Sequence, residues 1–164
     1  MPDRERRCRL DTVVKRRRGR KKVEEAVDYR FRPTAWWSNH SAWQYQWPRS
    51  DEAEHYGSVD VDFEVELLEP MKGVRRGRLE VTSEPDQTRW GHVLLSYYTS
   101  EGSEERILSA TAWTSDVGVL ALLMLLIGGR AVELTAHGPP FKYGQAFARS
   151  FGWHTADHPD REDM

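Results

Sequence analysis

From Val59 to Leu67 every second residue is apolar: Val59, Val61, Phe63, Val65 and Leu67. Between them stand Asp60, Asp62, Glu64 and Glu66. A period of two puts one set on each side of an extended chain. Residues 57–68 therefore predict a strand with one apolar and one acidic face, as an antiparallel sheet with a wet side requires. Pro70 and Gly73 turn the chain, and residues 75–83 return as a strand through Leu79 and Val81.

The same alternation recurs. Val27, Tyr29 and Phe31 alternate with Asp28, Arg30 and Arg32, and Pro33 is expected to stop that strand. Trp36, Trp37, Trp43 and Trp47 follow. Helical spacing would group Trp36, His40, Trp43 and Trp47; strand spacing groups Trp43, Tyr45 and Trp47. Aromatic residues favour sheets, and Asn39 and Ser41 supply turn chemistry ahead of the segment, so the strand is preferred. Residues 90–99 and 106–114 predict a hairpin around Ser100-Glu101-Gly102-Ser103. Residues 131–136 and 145–151 predict two more strands, joined through Gly138-Pro139-Pro140.

Residues 117–127 break the pattern. They are leucine-rich, preceded by Ser115-Asp116 and followed by Gly128-Gly129, the signs of a capped helix of about three turns. The segment is apolar nearly all round and is expected to be buried against the sheet. The expected fold is mainly β: an antiparallel β-sandwich or strongly curved sheet of about eight strands with one buried helix. A weak internal echo links Val65-Glu66-Leu67 and Pro70-Met71-Lys72-Gly73 with Val132-Glu133-Leu134 and Pro140-Phe141-Lys142-Tyr143-Gly144. It reflects either duplication or shared turn chemistry.

Charge divides the chain. Of its 24 Lys and Arg residues, 11 lie in the first 22 positions against three acidic ones, a net +8 there and −10 elsewhere. One-signed blocks favour disorder, so residues 1–26 are expected to be a basic arm, 27–153 a single β-rich domain and 154–164 a polar tail. Another origin for the arm is translation of an untranslated leader. Lys22-Val23-Glu24-Glu25 can be encoded around GGAGG, and Val27 by GTG. Cys8 is the lone cysteine, so no intramolecular disulfide or Cys-based zinc site forms. With no signal peptide and no apolar run near the roughly 20 residues a membrane needs, the expectation is a soluble, cytoplasmic protein.

Lys15, Arg16, Arg17, Arg18, Arg20, Lys21 and Lys22 form a polycation able to neutralise phosphates and release counterions. Trp43, Tyr45 and Trp47 could stack on bases or anchor a protein partner, or simply fill core. Asp60 and Asp62, or a His154/His158 pair, are the candidates for metal chemistry, but a solvated sheet face with Arg76 and Arg78 across the strands explains the carboxylates. His137, beside Gly138-Pro139-Pro140, is the candidate loop histidine. There is no Gly-x-Ser-x-Gly, phosphate loop or dinucleotide fingerprint, and Gly73-x-x-x-Gly77 lacks a following Lys-Ser/Thr. No catalytic residue, metal ligand or cofactor is assigned. The expected function is non-catalytic binding of a protein partner. Nucleic-acid binding through the arm is the alternative, and a metal-dependent enzyme the second.

Overall fold

A computed structural model of the chain describes residues 25–46, 53–84 and 87–156. The polycation at 15–22, Trp47, Asp157 and His158 lie outside the described residues. The elements are β1 (Val27–Gln46), β2 (Ala53–Met71), β3 (Val74–Ser83), β4 (Val93–Thr99), β5 (Arg106–Thr114), α1 (Asp116–Ile127), β6 (Val132–Gly138), β7 (Gln145–Ala148) and β8 (Ser150–Thr155).

All eight strands belong to one sheet, in the order β7-β4-β5-β3-β2-β1-β6-β8. Its two outermost strands, β7 and β8, are consecutive in the chain, with only Arg149 between them. The sheet must therefore curl until its edges meet. The Arg149 N–H donates to the His137 carbonyl at 3.3 Å, fastening β6 beside the junction. Of the two expected architectures, the strongly curved sheet is the one formed, nearly closed into a barrel. Val61, Phe63, Val65 and Leu67 are buried as the alternation requires, in one core with Tyr29, Phe31, Leu79, Leu95, Leu108 and Leu134.

Three details depart from the sequence expectation. Pro33 does not end β1. The register against β2 shifts between Pro33 and Ala35, a bulge that accommodates a residue with no N–H. Beyond Phe31, β1 pairs among the described residues with β2 alone, and β6 has already left it. The last expected strand is two, because its residues serve opposite edges: β7 pairs with β4 and β8 with β6. The sheet is also not wholly antiparallel. β5 slots between β4 and β3 and runs parallel to β3. That pairing needs Gly77, where a Cβ would stand 2.1 Å from the Leu108 carbonyl oxygen.

The internal echo is one of turns. Lys72-Gly73 (φ 55° and 80°) and Tyr143-Gly144 (φ 53° and 81°) share the positive dihedrals of a type I′ turn. The first closes the β2–β3 hairpin. The second closes a Lys142–Gln145 bridge leading into β7, whose partner is β4 rather than β6. Turn chemistry repeats, and strand pairing does not.

Candidate interaction surface

The helix is set at both ends by the residues that predicted it. The Ser115 Oγ accepts the Gly118 N–H at 3.0 Å, and Asp116 stands in the first turn, where a negative charge is favoured. At the other end Gly129 takes φ +71°, its N–H reaching the Leu126 carbonyl, while the Arg130 N–H reaches that of Leu125, both at 3.0 Å. These two bonds make a Schellman ending, which requires the glycine. Gly118 has a separate reason: a Cβ there would meet the Thr114 Oγ1 at 2.4 Å, so the helix starts pressed onto the end of β5.

One side of α1 packs against β2 and β3 and buries Val119, Leu122 and Leu126 in the common core. Among the described residues nothing covers the opposite side. Val117, Met124 and Ile127 are each 75% exposed and Leu120 54%. The expected burial all round is thus half realised, because the described residues form a single sheet and supply one layer for the helix to lie on. Spacings of three and four residues align these four side chains in one stripe. Single exposed apolar residues are ordinary, but an aligned set marks an interaction site.

Beside the C-terminal end of α1 lies a cleft of about 600 Å³, lined by Trp36, Leu126, Arg32, Arg130, Val132 and Glu133 among others. Trp36 stands opposite Phe63 in register and so faces the helix side; Trp37 stands opposite Asp62 on the outer wall, with the Arg78 guanidinium 5.7 Å from its ring. The two are 38% and 37% exposed. Trp43 and Tyr45 lie farther along β1, in the stretch paired only with β2, opposite Tyr56 and Glu54.

The acidic face points outward, tied by neutral donors. Asp60 accepts from the Thr82 and Ser58 hydroxyls at 2.5 and 3.1 Å, and Asp62 from the Asn39 amide at 2.9 Å. Glu80, opposite Asp62, has its carboxyl pushed above the usual range, first by burial and then by the charges of Asp60 and Asp62. Arg78 and Arg76 stand opposite Glu64 and Glu66, as the cross-strand expectation has it. Arg76, however, turns to Glu105 in a two-pronged pair at 2.8 and 3.1 Å, which holds the Glu105 carboxyl below its usual range. Among the described residues no group of three or more His, Cys, Asp or Glu side chains is arranged to hold a metal ion.

His137 is a strand residue of β6 rather than a loop residue, and its Nδ1 lies 2.7 Å from Asp28. His154 belongs to β8 rather than to a frayed tail. Its Nε2 is 3.8 Å from Glu133, which Arg30 grips at 2.7 and 3.2 Å. Among the described residues no helix is long and apolar enough to cross a membrane.

Sequence reasoning missed the stripe of Val117, Leu120, Met124 and Ile127. An all-apolar helix carries no periodicity to say which side is covered. Compared with family models, curated proteins and solved structures, the chain finds no match in any of the three.

Proposed function

We propose that this chain is a small non-catalytic binding protein that works by protein–protein contact through the outward side of α1. The observation that carries this reading is the exposure of Val117, Leu120, Met124 and Ile127 along one line of a helix whose other side is fully packed. Burying such side chains is worth roughly 1.5–3 kcal/mol each, so an uncovered row is a standing driving force for association. The cleft at Trp36 and Arg130 extends the surface with an aromatic and a cation, the residue types that dominate interface energetics.

A photocrosslinking residue at position 124 or 127 of the full chain tests this, with position 109 on the exposed outer wall as the control. Crosslinks from the helix positions and none from 109 are expected. Equal or absent crosslinking at all three would remove the reading. The competing nucleic-acid reading rests on Lys15 to Lys22 and is tested by labelled oligonucleotides against residues 1–164 and 27–164 at two salt concentrations. Salt-sensitive binding lost on truncation would support it.

A further inference from the structure

We infer that the occupant of the α1 surface is a second copy of this chain, docked with the two helices antiparallel about a two-fold axis. This deepens the interaction reading above and rests on it.

The stripe is self-complementary. Its members are placed symmetrically about Leu122: Val117 mirrors Ile127, and Leu120 mirrors Met124. Antiparallel packing therefore brings Val117 of one copy against Ile127 of the other, and Leu120 against Met124. That is the one-patch-to-itself contact a two-fold dimer requires. Near the centre stands Ala121, exposed and small, where the axes must approach to about 8–10 Å.

Charge selects the same arrangement. Between Asp116 and Arg130 there is no charged residue. Both flanking residues are exposed, and among the described residues neither forms an ion pair. In the antiparallel pairing, Asp116 of one copy comes within roughly two residues' rise, about 3 Å, of the level of Arg130 of the other, inside the reach of an arginine. It also opposes the helix dipoles. Parallel docking would set Asp116 beside Asp116 and align the dipoles, so both terms disfavour it. The chain's own basic segment finds no counter-charge on the stripe beyond Asp116, which argues against that segment as the cover.

Area sets the strength. At about 60–120 Å² per fully exposed aliphatic side chain, the four residues offer roughly 250 Å² of apolar surface per copy. Trp36 adds on the order of 75 Å². That is most of the apolar share of a small interface of about 600 Å² per partner. The dimer should accordingly be reversible, with a dissociation constant of roughly micromolar order.

Sedimentation equilibrium of residues 1–164 from about 1 to 200 μM brackets that range. The mass is expected to rise from 19.1 kDa towards twice that value. Met124→Glu should hold the protein at the monomer mass throughout, with an unchanged circular dichroism spectrum, because the side chain is 75% exposed. Arg130→Asp should weaken the dimer by about tenfold, and Asp116→Arg with Arg130→Asp should restore it. A mass fixed at 19.1 kDa across the range would overturn the proposal. So would a position-124 crosslink to a different protein or to residues 1–24 of the same chain. The crosslink to another protein would leave the interaction reading standing. A dimer that Met124→Glu does not dissociate, or that the double exchange does not restore, would overturn the antiparallel helix arrangement.

Discussion

In Gly77→Ala the added methyl would stand 2.1 Å from the Leu108 carbonyl oxygen and 2.5 Å from the Leu108 Cβ. The backbone at Gly77 lies outside the positive-φ region, so alanine is conformationally acceptable there. On that ground alone it would stabilise by about 0.4–1 kcal/mol, by restricting the unfolded chain. Sterics decide the sign. Bringing the 2.1 Å contact to about 3.5 Å requires β3 and β5 to part by roughly 1 Å or more. The obstacle is backbone, not the end of a flexible side chain. Losing two flanking ladder bonds costs about 1–3 kcal/mol at ~0.5–1.5 each. Overpacking of the well-filled interior adds about 1–3 kcal/mol. Net of the chain-entropy gain, the substitution should destabilise by roughly 1–5.5 kcal/mol. Gly152→Ala is the matched control: its Cβ would meet only the Thr135 Oγ1, at 4.0 Å, and it should be neutral or stabilise by up to about 1 kcal/mol. Urea unfolding followed by circular dichroism reads both as shifts in midpoint at constant slope. A Gly77→Ala protein as stable as the parent would refute the close parallel approach of β3 and β5.

Other outcomes follow from the same packing. Leu122→Ala removes a fully buried side chain between α1 and the sheet and should cost about 2–5 kcal/mol in urea unfolding at fixed protein concentration. Glu80→Gln should stabilise the domain at neutral pH and lose that advantage in acid. Glu80 has a raised folded-state pKa, so its favourable contribution is full below the unfolded value and is lost as pH rises through the folded one; paired melts at pH 4 and 7 show the difference. Tyr29, its hydroxyl donating to the Pro139 carbonyl at 2.7 Å, has its phenol pushed up to about 12 by burial. Stability is then lost as pH rises from about 10 towards 12. Ultraviolet titration should show an ionisation step near 12, and Tyr29→Phe should abolish it.

Local patterns in the sequence carried the local structure. The acidic and apolar faces of β2, the return through Leu79 and Val81, and both helix ends were legible because each depends on residues within a few positions. Pro33 misled because a missing N–H matters only where the ladder needs it, and a bulge next to an unpaired edge removes that need. Arg149 and the insertion of β5 were hidden for another reason: strand neighbours distant in the chain leave no periodic trace. The helix surface was the least legible. With no polar residue between Val117 and Ile127, burial and exposure look identical in sequence, and only the placement of the described sheet on one side of the helix tells them apart. Trp43 and Tyr45 were legible as strand, but the turn expected at Asn39 and Ser41 does not form, since both pair with β2 inside β1, and the division of Trp36 and Trp37 between the two faces was not legible.

The junction at Arg149 has a consequence for how the molecule comes into being. The free edges of β4 and of β6 are both closed by residues 145–155, one to each side. While the chain is still on the ribosome, every earlier strand can form and find its neighbours, yet the nascent sheet keeps two unsatisfied rims. Such rims invite pairing with other chains. Both rims can be closed only once synthesis has passed Thr155. A message cut short before that point would yield a product with nearly all its strands and the adhesive character of an unfinished one.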